Sequence, residues 1–275
     1  MLNFGLYAKD EIVKRNSRSP SREADTSIYN VPAVDRAVRI MLLLGTRTRE
    51  MTLAEIASAT GYHKSSVHKI LVTLNHQGFL DRDETTKRYS LGIALLRCGQ
   101  AALDNLNIKH SAKSILKELA DYSGETANLA VLRGTKIVIV DVMESPVELR
   151  VSPPIGTMDS VINKSNGKAV LAWLPESLVN TIIKREGLPA KTKRSIKNVK
   201  LYRKELAAVR KQGYATDFEE FQEGISAVSA PVFNAEGQAV ATLSIVGPAF
   251  RMTKGKMRLY GQRCAKAAAQ LTIRG

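Results

Sequence analysis

The stretch Thr52–Leu91 constrains the fold of this chain more than any other segment. It reads TLAEIASATGYHKSSVHKILVTLNHQGFLDRDETTKRYSL. Thr52 followed three residues later by Glu55 is a capping box, which starts a helix. Leu53, Ile56 and Ala57 give that helix a buried face. Gly61 stops it, because a tight turn needs a residue that tolerates positive φ. Val67, Ile70, Leu71 and Leu74 then fall at i, i+3, i+4 and i+7, so a second helix over Lys64–His76 turns them inward. Its opposite face carries Lys64, Ser65, His68, Lys69, Val72, Thr73 and His76, with no acidic residue. Gly78 ends it, Phe79-Leu80 starts a strand, Asp81–Lys87 turns, and Arg88–Leu91 returns. This is the pattern of a winged helix-turn-helix. A recognition helix of this size fits the major groove, with its N-terminal residues on base edges and phosphates. The predicted DNA contacts are His63, Lys64, Ser65, Ser66, His68, Lys69 and Thr73 on the helix, with Lys87 and Arg88 on the wing.

The motif, not bulk charge, carries this reading. The chain has 275 residues and a formal net charge of +15, which makes anionic partners an expectation. Residues 1–110 hold 16 Lys/Arg against 11 Asp/Glu, and residues 111–275 hold 25 against 15, so the excess is +5 and +10. Much of it lies between Lys184 and Lys211, as either a solvated helix face or a second anionic contact.

Upstream, residues 1–30 are polar and predict a mobile arm whose Lys14, Arg15, Arg18 and Arg22 either stay solvated or touch DNA. Val34, Ala37, Val38, Met41, Leu42 and Leu44 predict an amphipathic helix. Downstream, residues 92–107 predict a linker helix, and Ile108–Tyr122 another helix ended by Gly124. The period then becomes strand-like. Strands are predicted over Ala127–Leu132, Ile137–Val142, Val147–Val151, Ile225–Phe233 and Ala239–Val246. Helices are predicted from Asn166 through Trp173, from Pro175 to Arg185, over Lys200–Gln212 and over Met252–Ile273. The order is α+β, without βαβ regularity.

Enzyme motifs fail on inspection. Ser165-Asn166-Gly167-Lys168 matches S-x-x-K, but the companion S-D-N and K-T-G elements are missing. Gly167-Lys168 lacks the following Ser/Thr and the earlier glycine of a P-loop. His63, His68, His76 and His110 form no H-x-x-x-H pair, so no metal is expected. Asp217, Glu219 and Glu220 cluster near a turn, but no nucleophile partners them, so no catalytic residue and no cofactor are assigned. Cys98 and Cys264 are expected to be reduced, buried small hydrophobes. No apolar run reaches the roughly 18–20 residues of a membrane span, and a cytoplasmic protein is expected.

VDRAVRIMLLL, LAEIASATGYHKSSVHKILVTLNHQGFL, RYSLG, NGKAVLA, GYATDFEEFQEGI and APVFNAEGQAVATLSIVGP, in this order, resemble the IclR family of bacterial transcriptional regulators. The resemblance covers residues 31 to the C-terminus. It implies a winged helix-turn-helix over 31–91, a linker helix over 92–107 and a GAF/PAS-like antiparallel sheet with helices over 108–275. It implies double-stranded operator DNA, a small organic effector and a homodimer or dimer of dimers. It places Asp217 and Ser244 in the effector pocket, with Met143 and Leu149 as wall positions. The chain departs from the family at Ala227, at Val246 and at Asn166, which makes the strands less polar and adds an amide at the helix entry. The habit of the family, the donors of Asn166 and Ser244 and the basic local balance favour a small carboxylate or semialdehyde, and Asp217 favours a hydroxyl or aldehyde hydrate on it. Two other classes stay open on sequence alone: a DNA-tethered enzyme using the C-terminal cavity, and an architectural DNA-binding protein without effector.

Overall fold

The computed structural model describes residues 30–46, 49–104, 108–162 and 164–271. The predicted arm over 1–30 therefore lies outside the described residues save its last residue, as do Asn107 at the end of the predicted linker and the C-terminal end of the last predicted helix. The chain divides into two compact units, meeting between Ala102 and Leu103.

In the first unit, α1 (Pro32–Gly45) begins with proline at its first turn, where the missing N–H costs nothing. Its periodic residues split between two environments. Ile40 and Leu44 are buried, whereas Val34, Val38 and Leu42 are 60%, 43% and 56% exposed. The predicted amphipathic helix is present, and its apolar stripe is wider than the face that its neighbours cover. α2 (Leu53–Thr60) starts at the predicted capping box: the Thr52 N–H donates to Glu55 Oε2 at 2.7 Å, and the Glu55 N–H donates to Thr52 Oγ1 at 3.3 Å. Gly61 ends it at φ +71°. α3 (Lys64–His76) buries Val67 and Leu71, with Ile70 and Leu74 half-buried beside them. The wing consists of β2 (Leu80–Arg82) and β3 (Arg88–Leu91). A two-residue strand, β1 (Met51–Thr52), pairs with β3 on its other side, giving the order β1-β3-β2. A strand that short has no period of its own, so sequence reading misses it. α4 (Ala94–Asp104) follows Gly92, where a Cβ would lie 2.3 Å from the Gly78 carbonyl oxygen. Cys98 on this helix is exposed, contrary to expectation.

The second unit is a six-stranded antiparallel sheet with helices on both faces. Its strands are β4 (Thr126–Arg133), β5 (Lys136–Met143), β6 (Met158–Ser160), β7 (Ala215–Phe218), β8 (Ile225–Phe233) and β9 (Ala239–Pro248). Their order is β6-β5-β4-β9-β8-β7. On one face, α5 (Ile108–Ser123) and α9 (Lys254–Ala268) pack Leu116, Leu119 and Cys264 against Leu129, Val228, Leu243 and Ile245. Burial pushes the Cys264 thiol up to about 12, so it behaves as a small hydrophobe. On the other face, α6 (Ser165–Leu171), α7 (Glu176–Glu186) and α8 (Val199–Gln212) set Val170, Leu171, Ile182 and Tyr202 against Ala130, Ile137 and Ile139. The alternation along β4 assigns the faces: Ala127, Leu129 and Val131 to the first, Asn128, Ala130 and Leu132 to the second.

Two expectations are corrected here. Residues 147–151 form bends and extended loop rather than a strand. Pro146 and Pro153-Pro154 bracket them, Val147 and Leu149 are 43% and 50% exposed, and Arg150 is tied to Glu144 at 2.9 Å. The outer strand beside β5 is β6 instead. Asp217 is the third residue of β7, beside the turn that the sequence places there. The last helix stops at Ala268.

Candidate nucleic-acid interface and ligand site

The outward face of α3 is built by the residues that point the other way. Val67 and Leu71 are fully buried, and at 3.6 residues per turn this leaves Lys64, Ser65, His68, Lys69 and Thr73 exposed along one side. His63, the residue at the helix start, is exposed and makes no side-chain cap, and the first turn contains no acidic residue. Thr73 Oγ1 donates back to the Lys69 carbonyl at 2.9 Å, which leaves its oxygen able to accept. Ser66 is half-buried and accepts from Arg36 Nη1 at 3.1 Å. Arg36 also lies over the Tyr62 ring at 5.6 Å. It ties α1 to the start of α3, and its position on the polar side of α1 gave no sequence signal.

The wing divides its two predicted basic contacts. Arg88 Nη1 donates to the Glu50 carbonyl at 2.9 Å and to Glu55 Oε2 at 3.0 Å. Arg88 is thus committed to bracing the wing on the capping box. The Thr52 N–H, followed by its hydroxyl and then by Arg88 and Arg49, holds the Glu55 carboxyl below the usual range. Lys87 sits at the tip at φ +56°, with its side chain 58% exposed and paired to Glu84 at 3.0 Å. Asp83 Oδ1 accepts the Thr85 and Thr86 N–H groups at 2.8 and 2.6 Å and fixes the turn.

In the second unit, the face covered by α6 carries a buried polar row across the central strands. The strand registers place Asn128 beside Ser244, and Ser244 beside Ser229. Ser229 Oγ lies 2.7 Å from Ser165 Oγ and 2.8 Å from Ser244 Oγ. Asn166 Oδ1 accepts from Ser229 at 2.8 Å and from Ser244 at 3.1 Å. Its amide oxygen, rather than its N–H donors, thus meets the strands. The next row joins Val246, Ala227 and Asp217. Ala227 and Val246 remove two polar positions, yet Ser229, Ser244, Asn128 and Thr242 keep this face polar. Asn128 Oδ1 and Thr242 Oγ1 are buried without a hydrogen-bond partner among the described residues.

Charge gathers at one end of this face. Lys168 on α6 is fully buried, and its Nζ lies 2.7 Å from Glu220 Oε1 and 3.4 Å from Glu205 Oε1. Asp217 is 5% exposed. Its Oδ1 accepts the Glu220 and Phe221 N–H groups at 2.7 and 3.3 Å, which closes the turn through Glu219 at φ +59°. Burial pushes the Asp217 carboxyl up to about 6, partly offset by Lys168. Burial likewise raises Glu220 against the pull of Lys168.

The predicted site residues thus fall into two groups. Asn166, Asp217, Ala227, Ser244 and Val246 share one face. Met143 does not: it pairs with Ala127 and packs against the core on the opposite face. Leu149 stands on the exposed loop, where its carbonyl accepts from Arg251 Nη2 at 2.8 Å. Sequence reading did not assign Asn128, Ser229 or Glu205 to this face, and it weighed Ser165, Lys168 and Glu220 only as parts of enzyme motifs. A signal existed for Lys168, a lone charge inside the apolar run of NGKAVLA. Another existed for Ser229, two residues from Ala227 on the same side of a strand.

A winged helix-turn-helix with an acid-free recognition face, joined to a sheet domain holding a buried polar site, defines a DNA-binding regulator. The sequence matches the model of the IclR helix-turn-helix domain over residues 33–84 and that of the bacterial transcriptional regulator IclR C-terminal over residues 100–273. The chain belongs to the IclR family of transcriptional regulators. It is 28% identical over 264 residues to the transcriptional repressor IclR of Escherichia coli, covering 95% of this chain and 96% of that protein. It is 31% identical over 230 residues to the glycerol operon regulatory protein of Streptomyces coelicolor, covering 83% and 90%. An IclR-type regulator from Alicyclobacillus acidocaldarius superimposes with a TM-score of 0.78 at 32% identity, covering 88% of this chain and 98% of that one. Among the described residues, no helix is long and apolar enough to cross a membrane.

Proposed function

We propose that this regulator is a cytoplasmic repressor of a small-molecule catabolic operon, with residues 31–91 reading the operator and residues 108–275 sensing an effector. The effector binds on the α6-covered sheet face. The observation that carries this reading is that two buried oxygens on this face, on Asn128 and Thr242, have no partner among the described residues. Buried polar groups are nearly always hydrogen-bonded, and these two adjoin the Asn166–Ser229–Ser244 network. The fitting molecule is a small organic acid or semialdehyde with a hydroxyl, or hydrated carbonyl, that donates to Asn128. Its binding changes operator affinity only by its preference between two conformations, roughly 1–3 kcal/mol in typical cases. The exposed Val34, Val38 and Leu42 of α1, with exposed Leu91, Ile93 and Leu96 in the same unit, support a homodimer or dimer of dimers. Such an assembly presents two α3 helices to half-sites about one helical turn, or a multiple, apart.

Asp217→Asn tests the sensor. The amide oxygen still accepts the Glu220 and Phe221 N–H groups, so the turn persists. The raised carboxyl pKa means that the folded state holds this proton more tightly than the unfolded chain does. The Asp217 contribution to stability therefore falls as pH rises from about 4 to about 6 and stays low above. Without that titration the variant gains on the order of 2 kcal/mol near pH 7.5. Operator binding is expected to persist, and release by a panel of short hydroxy, keto and semialdehyde acids to be lost. Unchanged release across the panel would remove Asp217 from the site, and joint loss of DNA binding and stability would make it structural.

A further inference from the structure

A cavity lies apart from the Asn166–Ser244 face. It is an open groove of about 1000 Å³ beside β7, the terminal strand of the sheet, between α8 and α9. Tyr214, Thr216 and Phe218 line its floor, with Met257 from α9. The charges around it are unequal in freedom. Glu205 and Glu220 both reach the groove, but both are committed to the buried Lys168. Arg194 is held by Glu219 at 3.5 Å and lies over the Phe218 ring at 4.7 Å. Lys254 and Arg258 also line the groove, one turn apart on α9 and both exposed. Neither forms an ion pair among the described residues, and no acidic residue shares the first turn of that helix.

We infer that this groove is a second ligand site, for a small organic anion with an apolar or aromatic body. The anionic group meets Lys254 and Arg258. The body lies over Phe218, Tyr214 and Met257. The two exposed cations without an ion pair disfavour a cationic ligand, and the aromatic floor favours an organic acid over a bare inorganic anion. An added peptide strand fits less well. The Tyr214 carbonyl already accepts from Gln212 Nε2 at 2.7 Å, and the Phe218 amide helps to hold Glu220 charged. These contacts shorten the open edge of β7 to the backbone around Thr216, less than a partner strand needs. The groove meets the first site through Glu220, which lines the groove and also holds Lys168, so an anion here bears on the same buried charge cluster.

The test uses 8-anilinonaphthalene-1-sulfonate, a fluorescent organic anion, titrated against the full chain. Saturable binding that weakens as salt is raised is expected, since the contact is partly ionic. The double variant Lys254→Gln/Arg258→Gln is expected to weaken it about tenfold, two exposed ion contacts being lost, with the unfolding midpoint unchanged. Ala208→Trp, an exposed groove position on α8, fills the cavity and is expected to abolish binding. Dye affinity unchanged in both the double variant and Ala208→Trp would overturn the inference. So would affinity that rises with salt, the mark of a purely apolar site, or capture of an extended acidic peptide without any dye binding.

Discussion

Gly167→Ala leaves the second unit unable to form its native packing, and this is the largest single-residue effect expected anywhere in the chain. The reason is steric and local. A Cβ at position 167 would lie 1.8 Å from the carbonyl oxygen of Val161 and 2.3 Å from its carbonyl carbon. Those are backbone atoms, so no rotamer change relieves the clash. α6 would have to lift off the 161–162 segment, and it carries Asn166 and Lys168 on either side of the glycine. Overpacking a core by a methylene costs typically 1–3 kcal/mol when side chains can yield. With backbone in the way the loss should exceed about 3 kcal/mol, a large share of the 5–15 kcal/mol that holds a domain. Gly99→Ala is the control. It lies within α4, nothing stands within 4 Å of its added Cβ, and alanine gains up to about 1 kcal/mol of helix propensity. Thermal unfolding monitored by circular dichroism separates the two. Gly167→Ala should melt far earlier or not fold, and Gly99→Ala should melt at or slightly above the parent. Equal midpoints for Gly167→Ala and the parent would refute the close packing of α6.

The second large effect concerns the lysine next to that glycine. Lys168 is fully buried, with Glu220 at 2.7 Å and Glu205 at 3.4 Å as its counter-charges. Removing one member of a buried pair leaves the other charge without compensation, which costs roughly 3–5 kcal/mol. Lys168→Met keeps the volume and removes the charge, so a loss of that order is expected near pH 7.5. The loss should depend on pH with a definite sign. Lys168 is what pulls the Glu220 and Asp217 carboxyls down against burial. Without it both folded-state pKa values rise further above their unfolded values. The folded state then binds protons more tightly than the unfolded one, so the deficit is smallest at low pH and grows as pH rises through the raised pKa values. Adding Glu220→Gln should recover part of the loss, and the double-mutant cycle measures the pair. Denaturant unfolding at pH 5 and pH 8 checks this. A Lys168→Met deficit identical at both, unaltered by Glu220→Gln, would mean that the ion pair contributes nothing.

Both effects sit in NGKAVLA, where sequence and structure part company most clearly. As a sequence, Gly167-Lys168 suggested phosphate or nucleophile chemistry and was set aside for want of partners. In the fold, the glycine permits a backbone contact and the lysine neutralises carboxylates from two elements distant in the chain. Neither role leaves a periodic trace, because both depend on which segments the topology brings together. The helices of the first unit were legible because helix period, capping box and Gly61 all agree at Thr52–His76. The four long strands of the hairpins β4–β5 and β8–β9 were legible from their strand-like period. β1, β6 and β7, of two to four residues, were not, since alternation needs more residues than that to show. The α1 stripe was visible, but its division between core and surface was not, because amphipathicity does not say how wide the covering partner is. Asp217 and Ser244 were assigned to a pocket by resemblance and Asn166 as a departure from it, while Asn128 entered only once the β4–β9 register was known. Met143 was lost for the converse reason: a one-residue step along a strand changes the face.

α3 is expected to read a particular DNA sequence. Fluorescence anisotropy of the full chain, titrated onto a duplex from immediately upstream of its own gene and onto a scrambled duplex of equal length, measures it most directly. The comparison runs from about 50 to about 300 mM salt. A preference of at least about 10³-fold for the upstream duplex at physiological salt is expected. Lys64→Ala/Lys69→Ala should weaken binding and flatten the salt dependence by about one unit for each phosphate contact removed. Equal affinity for the two duplexes at every salt concentration would contradict the account.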